Sequence, residues 1–165
     1  MFVVARAIIY ASIFIGLFLV FVPARFLAWS GIVSPESLGV SQVIGMVVGG
    51  AGAVLAIWCV FLFAFIGRGT PAPFDPPRRL VVRGPYRFVR NPMGTGAGLV
   101  LAGATLFYQS FPLLCYTGLF ALLLHCFVVW YEEPTLSRQF GPEYEAYRRQ
   151  AGRWWPRRPT RGRSA

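Results

Sequence analysis

The chain has 165 residues, 56% of them apolar and only 13% charged, with a mean hydropathy of +0.56. A soluble domain carries about a quarter charged residues, so this balance points to a membrane protein and excludes a disordered chain, a collagen-like fibre and a disulfide-stapled secreted module. The net charge of +10 comes from 16 arginines against 6 acidic residues; on so apolar a chain it points to a cytoplasmic membrane face, with membrane lipids and no nucleic acid as partners.

A spanning helix needs about 20 mostly apolar residues. The first such run is Phe2 to Val22, with Arg6 close enough to its end to snorkel. It is long for the apolar part of a signal peptide and no strongly basic segment precedes it, so it is expected to be retained and not cleaved near Ala24. The second run lies in the uncharged stretch Ser37–Gly67, with its core from Val43 to Ile66. Gly45, Gly49 and Ala53 fall four residues apart there, as close helix contact in lipid requires. A dinucleotide fingerprint would need a strand-to-helix turn, which a glycine cluster inside a span is not.

The segment from Gly67 to Pro92 is dense in proline and arginine, with Pro71, Pro73, Pro76, Pro77 and Pro85. It cannot be a regular helix and reads as an extended connection. The next uncharged stretch, Met93–Tyr131, has 39 residues, roughly 58 Å as one helix and about twice the hydrocarbon thickness. Gln109-Ser110-Phe111-Pro112 breaks it, because the polar pair suits a turn and Pro112 suits a helix start. A tight hairpin of two spans, 93–108 and 111–131, is expected. The resulting fold is a single all-α membrane domain over 1–165 with about four spans (2–22, 43–66, 93–108, 111–131), a loop 67–92 and a tail 132–165.

The arginines orient it. Loop 67–92 holds six, and the tail after Tyr131 holds eight. With four spans, both segments fall on one side together with both termini, and that side is cytoplasmic, in a multi-pass inner-membrane protein. Cys59, Cys115 and Cys126 lie in apolar runs and read as small core hydrophobes. His125 stands alone in an apolar run and reads as a packed or hydrogen-bonded histidine. Nothing supplies the four close ligands of a zinc site, so no metal is expected.

Two polar segments carry the chemistry. Gly84–Gly98 ends the loop with two arginines, an amide and a tyrosine before a glycine-rich helix start. Glycines there let a ligand approach the backbone and free N–H groups attract anions; a snorkelling positive belt with small-residue packing explains the same residues equally well. Glu132-Glu133 stands at the cytoplasmic end of the last span, where a carboxylate serves either an arginine or a ligand ammonium. Adjacent helical positions are about 100° apart, so at most one of the pair points into the bundle. Leu136, Phe140, Tyr144 and Tyr147 follow as an apolar stripe interrupted at Gly141-Pro142, the pattern of an amphipathic interfacial helix. The hairpin forces Arg90-Asn91-Pro92 and Glu132-Glu133 to be neighbours. A guanidinium, a carboxylate, aromatic rings and a glycine-lined backbone then meet, a set complementary to a zwitterionic amino acid bearing an apolar ring system, such as S-adenosylmethionine.

At these residues the chain resembles the membrane-embedded methyltransferases of the isoprenylcysteine carboxyl methyltransferase and phospholipid N-methyltransferase superfamily, in particular its bacterial members. Arg90-Asn91-Pro92-Met93-Gly94-Thr95-Gly96, Glu132-Glu133-Pro134-Thr135-Leu136 and Phe140-Gly141-Pro142-Glu143-Tyr144-Glu145-Ala146-Tyr147 match three family motifs in order. Asn91 replaces a histidine, Gly94 a tyrosine, and Ala151-Gly152 a Val-Pro pair. The resemblance implies methyl transfer from S-adenosyl-L-methionine to a lipophilic small-molecule acceptor, a carboxylate, amine or thiol. It implies Arg90 and Glu133 as catalytic residues, and Tyr86, Arg90, Asn91, Pro92, Gly94, Gly96, Glu132, Glu133, Tyr144 and Tyr147 around the cofactor. The alternatives are an NADPH-dependent membrane reductase of the sterol reductase type and a non-catalytic protein that binds anionic lipid.

Overall fold

A computed structural model describes residues 9–10, 12–32, 35, 37–67 and 79–157. The proline run Pro71–Pro77, residues 1–8 with Arg6, and the last arginines of the tail lie outside the described residues. The fold is all-α, with helices α1 Ser12–Trp29, α2 Val40–Gly67, α3 Pro92–Tyr108, α4 Phe111–Phe140 and α5 Pro142–Gln150. Helices α1, α2 and α4 are each long and apolar enough to cross a membrane. Helix α3 has 17 residues, about 25 Å of rise.

Prolines explain where helix ends differ from the apolar runs. Helix α1 continues past Val22 to Trp29, and α4 continues past Tyr131 to Phe140. In each, a π-helical turn (Ile15–Phe21 and Val128–Glu132) precedes a proline, Pro23 and Pro134. Proline has no N–H for the bond to the carbonyl four residues back, and a widened turn absorbs that loss without ending the helix. The break between α3 and α4 falls at the expected polar pair. Gln109 takes a left-handed conformation (φ 49°), and the Ser110 hydroxyl caps α4 by accepting from the Leu113 N–H at 3.3 Å, with Pro112 in the first turn.

Helices α2 and α3 form the most intimate pair, and glycine makes it possible. A Cβ on Gly45 would stand 2.6 Å from the Gly103 carbonyl oxygen, and one on Gly52 would stand 2.6 Å from that of Gly96. In lipid, where apolar burial gives helices no preference for one another, such close backbone approach supplies the dispersion contact that holds them. Gln42 closes the far end of the pair, accepting from the Gly39 N–H and donating to the Phe107 carbonyl. Thr105 and Thr117 join α3 to α4 at 3.0 Å. Ala97, Leu101 and Phe120, with Leu19, Tyr116 and Leu124, form a core shared by α1, α3 and α4. Cys59 belongs to a second core with Val81 and Tyr86, whereas Cys115 is exposed on the outer face of α4.

The stripe Leu136, Phe140, Tyr144 and Tyr147 folds inward. It makes a third core with Ala151 and Leu80, straddling the turn at Gly141 between α4 and α5. The outer face of α5 carries Arg148 and Arg149. This third core sets the tail beneath the loop that leads into α3.

Candidate functional site

The loop into α3 and the tail after α5 are bound edge to edge. Gly152 donates its N–H to the Phe88 carbonyl at 3.2 Å, Arg90 donates its N–H to the Gly152 carbonyl at 2.7 Å, and Asn91 donates its N–H to that of Arg153 at 3.3 Å. These bonds form a one-bridge parallel pairing at Val89 and Gly152. Two chain segments about sixty residues apart thereby share one backbone platform.

On that platform the charges meet. The Arg90 Nη1 lies 3.0 Å from the Glu133 Oε1 and donates to the Tyr144 hydroxyl at 3.1 Å. Both members of this ion pair are nearly buried, with side-chain exposures of 8% and 11%. Arg153 binds the same carboxylate as a fork, Nε to Oε1 at 2.7 Å and Nη2 to Oε2 at 2.9 Å. Bidentate geometry of this kind fixes the carboxylate plane as well as its position. Glu133 thus answers two guanidiniums. Bonding to Glu133 raises the Arg153 pKa above its usual value.

Tyr147 donates to the Tyr86 carbonyl at 2.6 Å, and Tyr86 lies buried against Cys59 on α2. Burial pushes the phenols of Tyr86, Tyr144 and Tyr147 above their ordinary value, and the nearby Glu132 charge pushes each in the same direction. Glu132, one position along the helix from the Arg-bound Glu133, is thereby electrostatically coupled to all three tyrosines. The adjacent glutamates do face different surroundings. One buried polar atom is left over: among the described residues, the Arg90 Nε has no hydrogen-bond partner. A buried guanidinium N–H without an acceptor carries a desolvation cost, which a ligand carboxylate would remove.

The residues singled out in the sequence are placed unequally. Tyr86, Arg90, Glu132, Glu133, Tyr144 and Tyr147 gather at the platform. Asn91 contributes its backbone there, its carbonyl accepting from the Thr95 hydroxyl, and buried Pro92 starts α3. Gly96 faces away, pressed on Gly52 and Ala56 of α2, so it serves helix contact. Gly94 lies under Leu124 and the Trp154 ring, which a Cβ would approach to 2.8 and 3.2 Å. Trp154 in turn donates its indole N–H to the His125 Nδ1 at 3.1 Å, the hydrogen-bonded histidine expected from the sequence. Arg153 is the member of the cluster that reading the motifs missed. Its only signal in the sequence was its place in Arg153-Trp154-Trp155-Pro156, just past the last motif. Among the described residues, no group of three or more His, Cys, Asp or Glu is arranged to hold a metal ion.

No curated protein and no solved structure matches the chain at a significant level. Residues 40–143, more than half of the chain, match the family model of the phospholipid methyltransferases. The matched segment runs from the first residue of α2 into α5, and so takes in Arg90, both glutamates and the hairpin that joins them. With its apolar helices and this platform of arginine, glutamate and tyrosine, the chain belongs to the phospholipid methyltransferase family of membrane methyltransferases.

Proposed function

We propose that the protein transfers a methyl group from S-adenosyl-L-methionine to a lipophilic small-molecule acceptor at the cytoplasmic face of the inner membrane. The observation that carries this reading is the buried Arg90, bonded to Glu133 and Tyr144 while its Nε stays free. The donor set fits the amino-acid part of that cofactor. The free Arg90 N–H suits a carboxylate, Glu132 suits an ammonium, and the rings of Tyr86, Tyr144 and Tyr147 suit an adenine. Asn91 and Pro92 complete the rim, with Gly94 beside them. When bound, the cofactor supplies a methyl group already activated on a sulfonium.

The residues of the chain then have positioning to do. Arg90 orients the amino-acid end, held in turn by Glu133. The tail, through Tyr144 and Tyr147, covers the site from the water side and keeps solvent out. A carboxylate acceptor needs no base, whereas an amine or thiol must first lose a proton. An acceptor with a long hydrocarbon portion keeps that portion in the bilayer while its polar end meets the site. In this reading α3 is a fourth crossing, both termini and the Arg-rich loop are cytoplasmic, and the chain is one membrane domain. The family match supports methyl transfer over an NADPH-dependent reductase or a non-catalytic lipid-binding role.

Calorimetric titration of the detergent-solubilised protein tests it, using S-adenosylhomocysteine, NADPH and an anionic lipid in parallel. Saturable binding of the first alone is the expected result. Binding of NADPH or anionic lipid without S-adenosylhomocysteine binding would overturn the reading.

A further inference from the structure

Arg153 lies ten residues past the end of the family-matched segment, yet its guanidinium makes the two shortest contacts to the Glu133 carboxylate. A carboxylate offers about four acceptor sites, and Arg153 with Arg90 takes three of them on Glu133. Glu133 is therefore almost saturated by cations from the chain itself. A glutamate side chain ends in a broad, roughly two-fold torsion, so a single contact from Arg90 would leave its plane free to turn. The Arg153 fork removes that freedom. It presents Oε1 to the Arg90 Nη1, and with Tyr144 on the same nitrogen this fixes the guanidinium plane and so the direction of the buried Nε–H.

The backbone is built to deliver Arg153 to this point. Gly152 is paired with Phe88 and Arg90 on one side, and on the other a Cβ at Gly152 would run into the Trp155 carbonyl oxygen. The fold-back from Gly152 to Trp155 thus needs glycine at this position. Without the fold-back, residue 153 would not be directed at Glu133.

We propose that Arg153 is a positioning residue of the ligand site: its fork on Glu133 orients Arg90, so that the tail segment Ala151–Arg153 is an integral part of the site for an amino-acid-bearing ligand. The role rests on the methyl-donor reading above, and it makes ligand binding and tail closure one equilibrium. A ligand that needs the oriented Arg90 stabilises the docked tail, and a docked tail raises affinity by the same factor.

The test uses the full chain in detergent, titrated with S-adenosylhomocysteine, as wild type, Arg153→Ala, Arg153→Lys and Arg157→Ala. Among the described residues Arg157 donates to the Arg148 and Arg149 carbonyls, away from Glu133, and serves as the control for tail charge. Arg153→Ala should raise Kd about ten-fold or more, the lower bound for losing a charge-assisted bond. Arg153→Lys, which keeps the charge without the fork, should fall between. Arg157→Ala should bind as wild type. S-adenosylhomocysteine should slow tryptic cleavage of the tail in wild type, and methylguanidinium should recover part of the affinity of Arg153→Ala. A residue that served only to hold the fold would lower the unfolding temperature while leaving Kd of the folded protein and the methylguanidinium response unmoved. Wild-type affinity in Arg153→Ala, or in Arg153→Lys should the alanine variant fail to fold, overturns the proposal. So does tighter binding, which would mean that Arg153 occupies the ligand's own place. No binding to the wild type would instead sink the methyl-donor reading, and the ligand role of Arg153 with it.

Discussion

The Tyr147 hydroxyl donates to the Tyr86 backbone carbonyl at 2.6 Å, tying the tail helix α5 to the loop that enters α3. This bond depends on a protonated phenol, and burial holds the pKa of Tyr147 above its ordinary value, as it does for Tyr86 and Tyr144. Below pH about 10 the phenols are protonated in both folded and unfolded chains, and their contribution is fully present. Above that, the unfolded chain releases its protons first, so stability falls as pH rises towards the higher folded values. The phenol contribution to thermal stability in detergent should be flat between pH 8 and about 10 and decline beyond. Tyr147→Phe should cost about 0.5–1.5 kcal/mol at neutral pH and reduce the alkaline decline. An unchanged alkaline slope in that variant would assign the decline to other groups.

The glycine contact between α2 and α3 should be intolerant of even one methyl. At Gly103 a Cβ would stand 2.5 Å from the Gly45 carbonyl oxygen and 2.5 Å from the Gly49 nitrogen, both backbone atoms that cannot step aside. Gly103→Ala is expected to lower stability by about 1–3 kcal/mol, whereas Gly50→Ala, with nothing within 4 Å, should be neutral or slightly stabilising. Unfolding midpoints of the two variants in one detergent make the comparison.

Arg90→Ala removes the free guanidinium N–H and the partner of both Glu133 and Tyr144. It should weaken S-adenosylhomocysteine binding by about 1.5–3 kcal/mol, the scale of a charge-assisted bond. Far-ultraviolet circular dichroism of the variant should be unchanged. Calorimetry that found full affinity without Arg90 would place the ligand elsewhere.

Topology can be read by labelling single cysteines in a cysteine-free background. Trp155→Cys and Arg87→Cys, both exposed, should react from the cytoplasmic side, and Gln109→Cys, at the turn between α3 and α4, from the opposite side. Labelling of Arg87→Cys and Gln109→Cys from one side and Trp155→Cys from the other would remove α3 as a crossing.

Acceptor preference should follow chain length. Each CH₂ kept out of water is worth about 0.8 kcal/mol, so in proteoliposomes the apparent affinity of a homologous series of amines, thiols or carboxylates should climb with length. Short, water-soluble members methylated equally well at the same aqueous concentration would argue against access from the bilayer.

The apolar runs, the break at Ser110-Pro112 and the position of Glu132-Glu133 at the end of a long apolar run are local properties, and the sequence determined them by itself. Apolar length sets a spanning helix, a hydroxyl and a proline set a helix start, and a tight hairpin brings its two outer ends together whatever else the chain does. That Arg90 meets the Glu132-Glu133 pair was legible for that reason. Tertiary structure alone decided how these parts were used. Whether Gly96 lined a ligand site or a helix contact depended on which side of α3 met α2, and Gly52 settled it for the contact. Which glutamate took the arginines depended on a helix rotation set by the whole bundle, and Arg153 reached Glu133 only because the tail folds back beside Phe88–Asn91. Periodicity and spacing report on neighbours within a helical turn or two. Contacts such as these join residues 20 to more than 60 positions apart, and only the packed backbone brings them within reach.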